Sequence, residues 1–220
     1  MFNPEMIRLL AQGIWETLYM TIVSSLLAYV LGLPLGILLI LTDKNGIRPM
    51  RFLNGALGFI VNFVRSVPFL ILLIAVIPFT RFLVGTSVGS TATIVPLVLA
   101  SAPFVARMVE SSLKEVDRGV VEAAQSMGAG PWQIVTKVLL PEAKPSLILN
   151  AAIATTTILG YSAMSGFVGG GGLGTISINY GFYRYQSDVM LVTVLLLVVI
   201  VQVFQEIGWR IATRGDKRSR

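Results

Sequence analysis

The side chains that could relay protons or ligate a metal are scarce and lie at the edges of apolar segments. The sequence contains no His and no Cys. Glu110 and Glu206 are near the ends of two apolar segments, and Asp188 precedes the last one. Proton-coupled carriers generally use carboxylates or His within the membrane as relays. The sequence therefore predicts no proton relay, no metal site and no catalytic residue.

Glycine-rich phosphate-binding motifs do not supply a nucleotide site either. The chain has no G-x4-G-K-[ST] loop, so any ATP hydrolysis would need a separate polypeptide. Gly169 to Gly174, GGGGLG, satisfies G-x-G-x-x-G, but the dinucleotide fingerprint requires a preceding strand. An apolar helical segment precedes it here. We interpret it as a flexible or tightly packed turn, where glycine tolerates positive φ and close contact.

One stretch of mixed polarity, EAAQSMGAGPWQIVTKVLLPEAKP at 122–145, interrupts the apolar segments and is the main candidate site. Just before it, Asp117 is expected to cap a short helix, because its carboxylate can accept hydrogen bonds from N–H groups of the first turn. Gly128 suits a left-handed residue that ends this helix, and Pro131 suits the first position of a second one. The sequence predicts two short amphipathic helices that meet at a glycine corner.

The apolar faces of these two helices allow two interpretations. Amphipathic helices of this kind often lie among lipid headgroups. The alternative is contact with another protein, favoured by small alanine side chains and by a corner that would push a tip out of the membrane plane. On the first helix the apolar face comprises Val120, Ala123, Ala124 and Met127.

The spacing within this stretch resembles the EAA motif of ABC importer permeases, EAA-x3-G-x9-I-x-LP. The matching residues are Glu122-Ala123-Ala124, Gly128, Val138 in place of Ile, and Leu140-Pro141. Three further runs, ARMVESSLKEV, YSAMSGFVGGGGLG and NYGFYRY, resemble the methionine-uptake permeases. This likeness extends over nearly the whole chain.

The resemblance implies a type I ABC importer permease that translocates methionine, as the L- or D-isomer, across a bacterial inner membrane. It implies a homodimer that binds two ATP-binding subunits and an extracytoplasmic substrate-binding protein. ATP and Mg would be bound by the ATP-binding subunits, and no cofactor by this chain. The EAA loop, about 117–141, would form the coupling helices that dock on those subunits. The docking residues would be Glu122, Ala123, Ala124, Met127, Gly128, Ala129, Pro131, Leu140 and Pro141.

The elements that must position this loop are membrane helices. Hydrophobic residues make up 55% of the chain and charged residues 13%, against about 25% charged in an ordinary soluble domain. The mean hydropathy is +0.80. Several apolar runs exceed the roughly 20 residues that a spanning helix needs. The sequence predicts an all-α membrane protein, one domain over 1–220, with five spans at about 17–41, 57–80, 92–113, 146–168 and 189–209.

The distribution of cations predicts the orientation. The first loop, the EAA stretch together with the end of the third span and residue 144, and the tail hold thirteen Lys and Arg, whereas the N-terminus and the other two loops hold three. By the positive-inside rule the N-terminus is outside, and the EAA loop between the third and fourth spans is cytoplasmic, as is the C-terminus. The pI near 9.9 follows from this arrangement, so it does not indicate nucleic-acid binding.

The fourth span is the candidate wall of the translocation path. Ala152, Thr156 and Gly160 recur every four residues, which by itself is explained by close helix packing. The functional alternative adds uncharged hydroxyl groups and an adaptable Met164 that could act as a gate. The residues predicted to line the path are Tyr161, Ser162, Met164 and Ser165.

Two further questions stay open at the level of sequence. Arg65, within the second span, either extends toward the headgroups or pairs with a carboxylate such as Glu110. The rival functions are a permease of the same architecture for another small polar solute, and a secondary carrier. A carrier could use a sodium site of backbone carbonyls, since Gly32-Leu33-Pro34 and Pro68 are expected to interrupt the first and second spans.

Overall fold

A computed structural model describes residues 4–215, and within this range the chain forms helices and turns but no strand. The all-α prediction is therefore confirmed for the part of the chain that is described. In chain order the helices are α1 (Pro4–Thr42), α2 (Arg51–Ser66), α3 (Phe69–Ala75), α4 (Ile77–Val84), α5 (Ser90–Lys114), α6 (Arg118–Ser126), α7 (Pro131–Ile134), α8 (Leu140–Glu142), α9 (Lys144–Met164), α10 (Gly172–Ile176) and α11 (Ser187–Gly215). The tail cations Lys217, Arg218 and Arg220 lie outside the described residues.

Four helices within residues 4–215 are long and apolar enough to cross a membrane. They are α1, α5, α9 continued to Val168, and α11. Helices α2 and α3 make a fifth span if they are counted together, but they are bent by 100° relative to each other. The bend lies at Pro68, where the sequence predicted an interruption. Pro68 lacks an N–H group, and its ring disfavours helical conformation in the preceding residue.

The interruption predicted at Gly32-Leu33-Pro34 is wrong, because α1 is continuous through Pro34. Gly32 and Gly36 instead allow α5 to approach closely. A Cβ atom on Gly32 would lie 2.8 Å from the Ala102 carbonyl oxygen, and one on Gly36 would lie 2.6 Å from that of Ala106. Only glycine fits such an approach, as in other close helix contacts in membranes. Packing thus explains the glycines, and α1 keeps its helical form.

The helices contribute residues to two compact units. The first comprises the described part of Met1–Leu27 together with Val67–Ser101 and Thr155–Gln205. Its buried apolar cluster brings together the N-terminal part of α1, helix α10 and the start of α11. The buried members are Leu10, Leu173, Ile176 and Val189.

The second unit comprises Ala28–Ser66, Ala102–Ala154 and the described part of Glu206–Arg220. Leu39 of α1, Val61 of α2 and Ala106 of α5 form its buried cluster. Ala152 of α9 lies so close to Gly208 of α11 that a Cβ atom on this glycine would collide with the alanine Cβ. Close packing therefore accounts for Ala152. It does not account for Gly160, because a Cβ atom there would have nothing within 4 Å.

Candidate functional site

The predicted corner of the EAA segment has the local geometry expected from its sequence. The Asp117 carboxylate accepts a hydrogen bond of 2.6 Å from the Gly119 N–H and so caps α6. Gly128 has a φ of +80°, the left-handed conformation in which glycine is least strained. Pro131 is at the beginning of α7. These three predictions are confirmed, and the chain leaves α6 through the left-handed Gly128 before α7 begins.

The apolar face of α6 is divided between the interior of the chain and its surface. Ala124 is buried, whereas Ala123 is exposed beside it. Val120 is also exposed, and Met127 is 82% exposed. After the corner, Trp132 is 68% exposed. Four apolar side chains on either side of the corner, Val120, Ala123, Met127 and Trp132, are therefore exposed, and we call this set the corner patch.

The second arm of the segment is anchored more deeply than the first. The Gln133 side chain accepts a hydrogen bond of 2.9 Å from the Gly130 N–H at the start of α7. A π-helical segment, Val135–Leu139, then leads into α8. Ile134, Val135 and Leu139 are buried. Of the remaining predicted docking residues, Glu122 and Pro141 are exposed, and Ala129 and Leu140 are half-buried.

A cluster of charged side chains surrounds the end of α5. The Glu110 carboxylate, whose side chain is only 7% exposed, pairs with Arg107 through one oxygen and with Lys114 through the other. Lys114 Nζ also lies 3.3 Å from Asp43 Oδ2. Of the two alternatives left open for Arg65, pairing with Glu110 is therefore not the one that the structure shows. Arg65 is exposed, and its guanidinium lies 5.9 Å from the ring centroid of Phe104.

Asp43 is held at the turn between α1 and α2. The Asn45 N–H donates a hydrogen bond of 3.1 Å to its carboxylate. This bond, together with the neighbouring Lys114 ammonium, lowers the pKa of the Asp43 carboxyl from its usual value of 3.8. Asp43 therefore stays charged at neutral pH. It lines an open cleft shared with Lys114, Arg118 and Glu122.

The predicted path residues differ in exposure. Met164 is exposed, and Tyr161 is half-buried. Ser162 and Ser165 are buried, and their hydroxyl groups donate hydrogen bonds to the carbonyl oxygens of Leu159 and Ser162. Tyr161 also stacks on Phe69 of α3. Met164 and Tyr161 are thus the members of this set that offer side-chain surface at the C-terminal end of α9.

The glycine-rich segment after α9 is tightly packed rather than loose. Gly169, Gly171 and Gly172 all have positive φ. Glu16 accepts a hydrogen bond of 2.7 Å from the Gly172 N–H, and Thr17 accepts one of 2.9 Å from the Leu173 N–H. These α1 side chains therefore cap α10. Sequence reasoning missed this contact, since nothing local connects residues 156 positions apart.

Comparison with known protein families identifies the family to which this chain belongs. The model of the family described as binding-protein-dependent transport system inner membrane component matches residues 32–207. The chain belongs to this family. Its members are transport components of the inner membrane and not enzymes. The family resemblance inferred from the EAA spacing is thereby confirmed.

Individual relatives within the family are similar over most of the chain. A protein of Vibrio cholerae named probable D-methionine transport system permease protein MetI is 52% identical, covering 96% of this chain and 93% of the relative. The Escherichia coli K12 protein named D-methionine transport system permease protein MetI is also 52% identical. That alignment covers 74% of this chain and 76% of the relative.

Solved structures agree with the family assignment. A chain from inward facing conformations of the MetNI methionine ABC transporter superimposes with a TM-score of 0.97 at 49% identity. The superposition covers 98% of this permease and 100% of that chain. An amino acid ABC transporter crystallised with histidines gives a TM-score of 0.79 at 18% identity, which indicates a common fold only.

Proposed function

We propose that this chain is the membrane-spanning permease subunit of an ATP-driven importer that carries methionine into the cytoplasm. Support comes from relatives named as D-methionine permeases at 52% identity and from the fit to a chain of a methionine ABC transporter. ATP and Mg would be bound by a separate ATP-binding subunit. An extracytoplasmic binding protein would deliver the substrate, in keeping with the family description.

The observation that carries this proposal is the corner patch. A sharp corner presents Val120, Ala123, Met127 and Trp132 outside the packed helices. An exposed apolar cluster of this kind is typical of a surface that another protein covers. We assign the EAA loop, 117–141, to docking on the ATP-binding subunit. In this assignment Ala124 and Ile134 hold the two arms to the permease while the patch enters the partner.

The translocation path is proposed along the C-terminal end of α9. Met164 supplies a flexible, polarisable side chain that could close the path without charge. Tyr161 lies one turn before it and is held by Phe69. Ser162 and Ser165 would shape this end of the helix through bonds to its own carbonyl groups. Such a wall would pass a small solute without binding it tightly.

We infer a homodimer in which two copies enclose the path, because five helices do not easily surround a gated path, and closed two-fold dimers are the commonest assembly. The proposal counts α2 and α3 as one broken span and treats 1–220 as one permease domain. The N-terminus is outside, and the EAA loop and the C-terminus are cytoplasmic, on the strength of the cation distribution.

Reconstitution tests the proposal directly. The permease would be assembled in proteoliposomes with the ATP-binding subunit and binding protein from its own organism, and uptake of labelled L- and D-methionine would be compared with a panel of other amino acids. ATP-dependent methionine uptake is expected. Uptake of another amino acid in its place would leave the architecture intact and overturn the cargo. ATP-independent uptake would indicate a secondary carrier.

A further inference from the structure

The end of α5 carries a buried polar cluster that the docking proposal does not use. From it we propose that Glu110 is a positioning residue of the coupling apparatus. In this role Glu110 ties α5 to α2 and to the α1–α2 turn, so that these elements move together when α6 is displaced by the ATP-binding subunit. The inference rests on the proposed function, since it concerns how the permease follows its partner.

The Glu110 carboxylate is buried between two cations. The Glu110 side chain is 7% exposed, and a buried charge is tolerated only where it is paired and hydrogen-bonded. Each oxygen has its own cation, Arg107 on one and Lys114 at 2.7 Å on the other. Glu110 therefore orders two cations at once. A neutral amide in place of the carboxylate would remove the negative charge that both cations share.

Arg107 and Lys114 each contact a second element of the structure. Arg107 Nη2 donates to Asn62 Oδ1 at 3.0 Å and to the Gly58 carbonyl oxygen at 3.3 Å, both on α2. Lys114 reaches Asp43 on the α1–α2 turn, with its Nζ 3.3 Å from the carboxylate. One buried group on α5 is thus linked to two other elements through two different side chains.

A third tie holds α5 to the helix that follows the EAA loop. The Asn150 amide donates a hydrogen bond of 2.7 Å to the Ser112 hydroxyl, and the Ser146 hydroxyl donates one of 3.1 Å to the same oxygen. Ser112 is fully buried. The helices that enter and leave the EAA loop are therefore joined at its base.

Helix α6 follows this cluster closely in the chain. Lys114 ends α5 and Arg118 begins α6, so only three residues separate the cluster from the docking helix. Asp43, Asn45 and Ile47 of the α1–α2 turn line the same open cleft as Arg118 and Glu122 of α6. The turn and α6 are thus neighbours across this cleft, and the Lys114–Asp43 pair, with Nζ 3.3 Å from Oδ2, joins the turn to the end of α5. Displacement of α6 reaches the turn through α5 and the Lys114–Asp43 pair.

The test compares ATP hydrolysis with solute uptake in the same proteoliposomes of the complete transporter. Glu110→Gln is expected to assemble and hydrolyse ATP at close to the wild-type rate, while uptake per ATP falls about tenfold, the size of a coupling effect in a mutated network. Asp43→Asn is expected to show a smaller loss of the same kind. Glu206→Gln, in an exposed pair with Arg210, is the control and should change nothing.

A second measurement separates coupling from folding. Because the chain has no Cys, Asp43→Cys combined with Lys114→Cys places the only two thiols at this tie. The unlinked variant should hydrolyse ATP with little uptake, and a short thiol cross-linker should restore uptake per ATP. If Glu110→Gln does not assemble, the Asp43→Cys, Lys114→Cys double variant with and without the cross-linker tests the inference by itself. The inference would be overturned if Glu110→Gln kept the uptake per ATP of the wild type, or if cross-linking restored no uptake in the double variant. A wild-type transporter without ATP-driven methionine uptake would count against the proposed function instead.

Discussion

The ring of Phe69 is stacked on the ring of Tyr161, with centroids 4.5 Å apart and planes 7° from parallel. Phe69 directly follows Pro68, at the bend between α2 and α3. Tyr161 lies one helical turn before Met164 on α9. The stack therefore holds the segment after the bend against the C-terminal end of α9, which we propose as the wall of the path.

Loss of this stack is expected to lower stability. An offset or parallel aromatic pair contributes about 0.5–1.5 kcal/mol beyond area burial. Tyr161→Leu should therefore reduce the free energy of unfolding by about 1 kcal/mol, measured on the detergent-purified chain. Phe63→Leu, which alters the exposed Phe59–Phe63 pair, is the control and should have a smaller effect. Strictly additive effects of Tyr161→Leu and Phe69→Leu in a double-mutant cycle would argue against an energetic contribution from stacking.

Substitution at the corner should disconnect the partner without unfolding the permease. Gly128 has a positive φ, and a β-branched residue there costs on the order of 1–2 kcal/mol locally. Gly128→Val is expected to reach the membrane at near-normal levels but to lose co-purifying ATP-binding subunit. Gly55→Val is the matched control, because Gly55 also has open space around it but no positive φ. Equal retention of the subunit by both variants would refute the role of the corner.

Charge in the corner patch should also prevent docking. Ala123 is exposed in the isolated chain, so Ala123→Asp is not expected to destabilise the permease itself. Once the patch is covered, an unpaired carboxylate there would cost several kcal/mol. We expect loss of the ATP-binding subunit and of ATP-driven uptake. Gln125 is exposed on the opposite side of α6, so the control Gln125→Asp should retain the ATP-binding subunit and ATP-driven uptake. Full ATPase activity in Ala123→Asp would mean that α6 and α7 only lie on the membrane surface.

The Asp43 carboxylate predicts a pH dependence confined to acid. Its pKa is lowered in the folded chain, first by the Asn45 N–H bond, so its contribution to stability is present above the usual value of 3.8. That contribution is lost as the pH falls through the folded-state pKa, below 3.8. The free energy of unfolding of the purified chain should therefore differ between wild type and Asp43→Asn by a constant amount around neutral pH. This difference should vanish in strong acid. A difference that changes between about pH 5 and 8 would contradict this.

The orientation can be tested with engineered thiols. Thr86→Cys lies in the exposed turn after α4, and Asn45→Cys in the exposed turn after α1. An impermeant thiol reagent added outside intact cells should label the first and spare the second. Ser219→Cys, which lies outside the described residues, should also be spared. The reverse pattern would overturn the topology, and with it the cytoplasmic docking of the EAA loop.

The sequence alone determined the features that depend on neighbouring residues. A capping carboxylate at Asp117, a left-handed Gly128 and a first-turn Pro131 each act over only a few positions, so their types and spacing were sufficient. Four long apolar helices, α1, α5, α9 and α11, were also predictable, because a span needs a minimum length, whereas a 100° bend between α2 and α3 divides the second predicted span. The family followed from the EAA spacing for the same reason, since the whole motif lies in one continuous stretch.

The tertiary structure decided which side chains meet across the chain. It joined Arg107 to Asn62 and Lys114 to Asp43, buried Ala124 but not Ala123, and brought Glu16 to Gly172. It also kept α1 continuous through Pro34, where the local signal predicted a break. Such choices depend on the close packing of whole helices, in which one glycine or carboxylate is satisfied by residues far away in sequence. No local spacing encodes those partners.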